Sequence, residues 1–126
     1  MESILVEYKE AVAYVTINRS DVLNCFDYQT LKEMNDVVGR LALSSEIHAI
    51  VFTGSGEKAF SAGADLKERK TLTLEETRRN VALIQRVFQA IAELPQPTIA
   101  AVNGFALGVD LNGCSHVILQ FVQKMQ

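Results

Sequence analysis

Long apolar runs are absent from this 126-residue chain, although 48% of it is hydrophobic. None approaches the ~18 residues a bilayer-crossing helix needs, so a membrane protein is not expected. Positive charge is not in excess: 12 Lys+Arg face 15 Asp+Glu, for a formal charge of -3. Such a chain sets up no broad field to draw in nucleic acid or acidic lipid. Cysteine is scarce. Cys25 and Cys114 lie far apart without metal-ligand spacing, and they read as free thiols, with no disulfide framework and no metal site. The start, Met1 to Val6, has no basic segment leading into an apolar stretch, so no secretory signal is expected and the cytoplasm is the default compartment. Phosphate-binding fingerprints are missing as well. Gly54-Ser55-Gly56 runs into Glu57-Lys58-Ala59 and not toward a third glycine or a lysine-serine pair, which argues against a nucleotide site. Repeats and low-complexity linkers are not found, and neither His48 nor His116 has a nucleophile partner by sequence. His48, just before an apolar run, reads as a surface or strand-edge residue.

What is present fits one globular unit with a core, too short for two domains. Ile4 to Tyr8 and Val12 to Asn18 are β-rich runs separated by Lys9-Glu10-Ala11, a hairpin pattern. From Asp27 onward, Leu31, Met34, Val38 and Leu41 keep helical spacing, with Asp27 or Thr30 as candidate caps. Ala49-Ile50-Val51-Phe52 then predicts a buried strand that empties into a glycine-rich loop. Thr73-Leu74-Glu75-Glu76 has the form of a capping box, opening a helix with Val81, Ile84, Val87 or Phe88, Ile91 and Leu94 as its apolar stripe. Pro95 and Pro97 stop that helix. Thr98 to Val102 predicts a second buried strand, followed at once by Asn103-Gly104-Phe105-Ala106-Leu107-Gly108. Strand, loop, helix, strand, loop is the outline of a right-handed crossover.

Two loops therefore leave the C-terminal ends of two neighbouring strands, where ligands bind in open α/β sheets. In the first, Lys58 to Lys67, the small residues Ala59, Ser61, Ala62, Gly63 and Ala64 leave backbone N–H groups unshielded and able to approach a ligand oxygen. The second offers the same around Gly104 to Val109. Spacing alone does not separate a ligand cradle from a pair of tight turns.

Phe60-Ser61-Ala62-Gly63-Ala64-Asp65-Leu66-Lys67, after a strand ending Phe-Thr-Gly, closely resembles the first signature of the enoyl-CoA hydratase/isomerase (crotonase) family. Pro97 to Gly108 is similar to the segment carrying the other half of that family's active site. A weaker match is Asn18-Arg19 followed by Asn24-Cys25-Phe26. The resemblance covers residues 4 to 108 in the family's order, and it implies a crotonase-like ββα spiral core, here truncated. It also implies chemistry through the enolate of a coenzyme A thioester, whose oxyanion is held by two backbone N–H donors. By position these are Ala62 and Val109, the latter standing where the family has glycine. Losing such a donor costs ~10²- to 10³-fold in rate. Any residue but proline supplies an N–H, but the Val109 side chain adds bulk near the thioester. The same resemblance places coenzyme A against Cys25 and Phe26 and along Ala62, Ala64, Asp65 and Leu66, as part of the substrate and not as a separate cofactor. Asp65 fits a helix N-cap equally well. Family members assemble as trimers or hexamers through C-terminal helices that this chain does not contain.

Hydration of a 2-enoyl thioester needs an acid/base pair to deliver water across the double bond. The resemblance puts one glutamate four positions after Gly108, where this chain has Asn112, and the second in a region it lacks. An asparagine does not exchange a proton at neutral pH. Agreement with the family is dense up to Gly108 and nearly gone from Val109 to Gln126, as a one-base deletion would produce. Restoring one base before Val109, within the freedom of the code, reads GGFERLLACDFAICSENA. That string resembles the family's continuation and puts glutamate at the position of Asn112. On this reading residues 1–108 are the N-terminal part of a crotonase-like domain and 109–126 an out-of-frame tail, in which Cys114, Ser115, His116 and Lys124 carry no chemistry. Such a half-spiral is expected to expose apolar surface and an unpaired sheet edge, and to associate.

Overall fold

The computed structural model describes residues 3–19, 26–56, 68 and 70–101. Their elements run in the order β1 (Ile4–Lys9), β2 (Val12–Ile17), α1 (Tyr28–Ala42), β3 (Ala49–Gly54), α2 (Leu74–Ala92) and β4 (Thr98–Ala101). The sheet keeps the order β1-β2-β3-β4. β1 pairs antiparallel with β2 through a two-residue turn, and β2 with β3 and β3 with β4 are parallel. The turn places Glu10 at φ 48° and Ala11 at φ 71°, both left-handed. Two-residue hairpins need that geometry because it matches the twist of the flanking strands.

Alternation in β2 decides which way the sheet faces. Ala13, Val15 and Ile17 are fully buried, whereas Tyr14 is 36% exposed. The buried side meets α1 through Leu31, Met34, Val37, Val38 and Leu41, and α2 through Leu83, Val87 and Ile91, with Ile50 and Phe52 of β3 at the centre. α1 starts on Asp27, whose carboxylate accepts from the Thr30 N–H at 2.8 Å and the Thr30 hydroxyl at 2.6 Å. At its far end the Gln96 amide donates to the carbonyls of Leu41 (2.7 Å) and Ser44 (3.3 Å), tying the chain after α2 to the end of α1. α2 opens with the capping box read from the sequence: Thr73 Oγ1 accepts from Glu76 N–H, and Glu76 Oε1 accepts from Thr73 N–H.

Two sequence expectations are corrected. Val81 does not belong to the buried stripe of α2; it is 41% exposed, and Asn80 and Leu83 hold the inner face instead. An Asn in the core row is costly without a partner, and its partner is described below. β4 is not a buried strand either: Ile99 is 52% exposed, and among the described residues β4 pairs with β3 alone. On the face away from the helices, register lines up Tyr14, Val51 and Ile99 as an apolar row.

Candidate functional site

Parallel pairing sends the C-terminal ends of β2, β3 and β4 to one side of the sheet, with Ile17 beside Gly54 and Thr53 beside Ala101. The junctions are stitched. Ser55 N–H donates to Ile17 O at 2.8 Å, and Thr53 Oγ1 donates to Ala101 O at 2.8 Å. The strands that end at this edge are the ones that precede the three segments singled out in the sequence: β2 comes before Asn18, β3 before Lys58 to Lys67, and β4 before Asn103 to Gly108. Helices α1 and α2 both begin on the same side, so the positive ends of their dipoles share it.

The start of α1 is where the chain on either side of two of these segments comes together. Arg19, at the exit of β2, pairs with the Asp27 carboxylate at 3.5 Å, closing off residues 20–25. Phe26 is buried to 4% exposure and meets Phe88 of α2 edge-on, with ring centroids 6.3 Å apart. Its ring therefore belongs to the core. Tyr28 N–H donates to both carboxylate oxygens of Glu68, at 3.1 and 3.2 Å. The same carboxylate accepts from Asn80 Nδ2 at 3.0 Å. Over the Tyr28 ring stand the Arg79 guanidinium, 3.9 Å from the centroid, and Lys32 Nζ at 5.0 Å, both within cation–π range.

Cys25, Ala62, Ala64, Asp65, Leu66 and Val109 lie outside the described residues, as do Asn112 and both loop tips; Phe26 alone of the substrate-binding set is described. His48 is exposed at the mouth of β3, donating its N–H to Ala11 O, which agrees with the strand-edge reading. Among the described residues no cluster of three or more His, Cys, Asp or Glu side chains is arranged to hold a metal, and no helix is long and apolar enough to cross a membrane. Sequence reasoning missed Glu68, Tyr28 and Asn80. The available signal was Asn80 itself, a polar residue in step with Leu83, Val87 and Ile91.

Residues 7–117 match the Enoyl-CoA hydratase/isomerase family. The chain belongs to that family. It is 45% identical over 114 residues to the short-chain-enoyl-CoA hydratase of Clostridium acetobutylicum, covering 90% of this chain and 42% of that protein. To the crotonyl-CoA hydratase of Syntrophomonas wolfei it is 41% identical over 113 residues, again 90% of this chain and 42% of the relative. Among solved structures, an enoyl-CoA hydratase from Bacillus anthracis superposes with a TM-score of 0.85 at 33% identity, over 95% of this chain and 45% of that one. This enoyl-CoA hydratase/isomerase chain thus spans less than half the length of the relatives it matches. The four-stranded sheet with two helices on one face is the crotonase-like ββα arrangement anticipated from the sequence.

Proposed function

We propose that the chain is the N-terminal part of an enoyl-CoA hydratase, a protein that adds water to a 2-enoyl-CoA thioester through an oxyanion-stabilised enolate. The observation that supports this reading is that the three parallel strands preceding the three family-like segments end side by side at one sheet edge. Hydratases are prominent among the named relatives of comparable identity. In the resulting mechanism Ala62 and Val109 donate backbone N–H groups to the thioester oxygen. As a base takes a proton from water and the water oxygen bonds to the β-carbon, the π electrons move onto the thioester oxygen as the enolate, and a proton delivered to the α-carbon then completes hydration. Fixed donors aimed at where charge develops stabilise the enolate more than the starting thioester, which lowers the barrier. Main-chain groups at Cys25, Phe26, Ala64, Asp65 and Leu66 hold coenzyme A, which enters and leaves as part of the substrate.

Water delivery is the incomplete part. Asn112 stands where a proton-exchanging carboxylate is required, so a second reading has support: a coenzyme A binder or assembly partner without turnover. A short 2-enoyl-CoA assayed for hydration, alongside coenzyme A titration, separates the two. Turnover supports the hydratase, binding without turnover supports the binder, and absence of both rejects each for this chain.

The out-of-frame origin of residues 109–126 belongs to the same proposal. The family match runs past Gly108 to Val117, so the nucleotide sequence across codons 108 to 126 decides it. A homologous continuation in the shifted frame is the expected result, and an independently supported frame without one overturns the idea. Assembly into trimers or hexamers is proposed for the longer protein. The cytoplasm is the proposed compartment.

A further inference from the structure

Glu68 reaches forty positions back along the chain to the first N–H of α1. Asp27 covers the third residue of that helix, Thr30, leaving the Tyr28 donor to be met from elsewhere. Glu68 meets it with its carboxyl oxygens at the positive end of the helix dipole. The same carboxylate is the hydrogen-bond partner of Asn80, which is only 6% exposed and whose Oδ1 has no partner among the described residues. A polar side chain in the apolar row of α2 is thereby explained: it is there for Glu68. One carboxylate joins α1, α2 and the chain that has just left the Ala62–Leu66 loop.

We infer that Glu68 is a positioning residue for the thioester site. Its carboxylate ties residue 68 to the α1–α2 junction through Tyr28 and Asn80, and on the other side of the 57–67 stretch Ser55 is tied to β2 through Ile17. The Tyr28 that Glu68 grips directly follows Asp27, whose pair with Arg19 closes the Cys25-bearing segment. Glu68, which follows the Ala62–Leu66 stretch in the chain, and Asp27, which follows Cys25, are thus linked through two consecutive residues. The inference rests on the thioester-binding reading above. A donor displaced by about 1 Å loses on the order of 10²-fold in effect, so anchoring at Glu68 governs enolate stabilisation more than affinity for the coenzyme A moiety.

The test uses the full chain with Glu68→Ala and Glu68→Gln, each checked by circular dichroism. Amide hydrogen exchange at residues 61–66 is read without ligand, and binding of coenzyme A and of acetoacetyl-CoA is then compared, the latter followed by its enolate absorbance. Exchange at 61–66 is expected to speed up about tenfold in Glu68→Ala as local opening becomes easier. Acetoacetyl-CoA binding and its enolate band are expected to fall about tenfold while coenzyme A affinity changes less than about threefold. Glu68→Gln keeps an acceptor and recovers most of both effects. Should Glu68→Ala not fold, Asn80→Ala, which removes one of the carboxylate's bonds, takes its place: faster exchange at 61–66 supports the proposal and wild-type exchange overturns it. Unprotected amides at 61–66 in the wild type, unchanged exchange in a folded Glu68→Ala, or an equal loss of both ligands also overturns it. A wild type that binds neither ligand refutes the thioester reading, and the exchange result alone then decides the role of Glu68.

Discussion

Glu76 is the clearest case of a single side chain whose ionisation is tied to the fold. Its carboxylate accepts the Thr73 N–H and faces the Thr73 hydroxyl, and these bonds, assisted by Arg79, hold its pKa below the ordinary 4.5 despite slight opposing desolvation. A carboxylate with a depressed folded pKa contributes stability that is fully present above the unfolded value. That contribution is lost as pH falls from there through the folded value. Melting Glu76→Gln beside the wild type should therefore show a gap at pH 7 that narrows below about pH 4.5 and closes in stronger acid; a gap independent of pH sinks the argument. The hairpin turn gives a second residue-level prediction. Glu10 and Ala11 both sit at left-handed φ, which costs L-residues about 1–2 kcal/mol each. The double change Glu10→Asn, Ala11→Gly should stabilise by about 1 kcal/mol in urea unfolding, since Asn-Gly is the preferred pair for such turns.

At the level of helices and strands, the most exposed weakness is Gly39 in the last turn of α1. A methyl group added there meets nothing within 4 Å, and the position is solvent-exposed. Gly39→Ala should add about 0.8–1 kcal/mol by removing backbone freedom from the unfolded chain, read as a higher urea midpoint with unchanged slope. Much of this architecture was legible beforehand because its signals are local. Thr73 and Glu76 lie three residues apart, Asp27 caps its own helix, and the Val15–Ile17 alternation names the buried face of β2. The miss at Val81 is instructive. The two stripes, one residue out of step at 80/81 and 83/84, share Val87 and Ile91, and nothing near Asn80 in sequence announces Glu68 as its partner. β4 was misread for another reason. Thr98 to Val102 is apolar on both faces, which looks like burial, but burial depends on what lies beyond the strand. The candidate site was legible as three segments and as a family likeness; that the strands preceding them end at one edge required the β2-β3-β4 pairing, and the Glu68–Tyr28 bond spans forty residues.

For the whole molecule, the outer face of the sheet carries Leu5, Tyr14 and Ile99 at 38%, 36% and 52% exposure. An apolar row of this kind next to a strand edge invites contact between copies. Sedimentation velocity should show concentration-dependent association, and Ile99→Thr, which keeps strand propensity, should reduce it; identical profiles for both proteins would remove Ile99 from the contact. The strand order has a separate implication for how the chain is made. Each strand pairs with the one most recently synthesised, so a nascent chain leaving the ribosome always finds its template already built and never has to hold an unpaired strand while awaiting a distant partner. Pulse-labelled exchange on stalled nascent chains should show protection arriving in the order of translation, first in β1 with β2, then in β3, and last in β4.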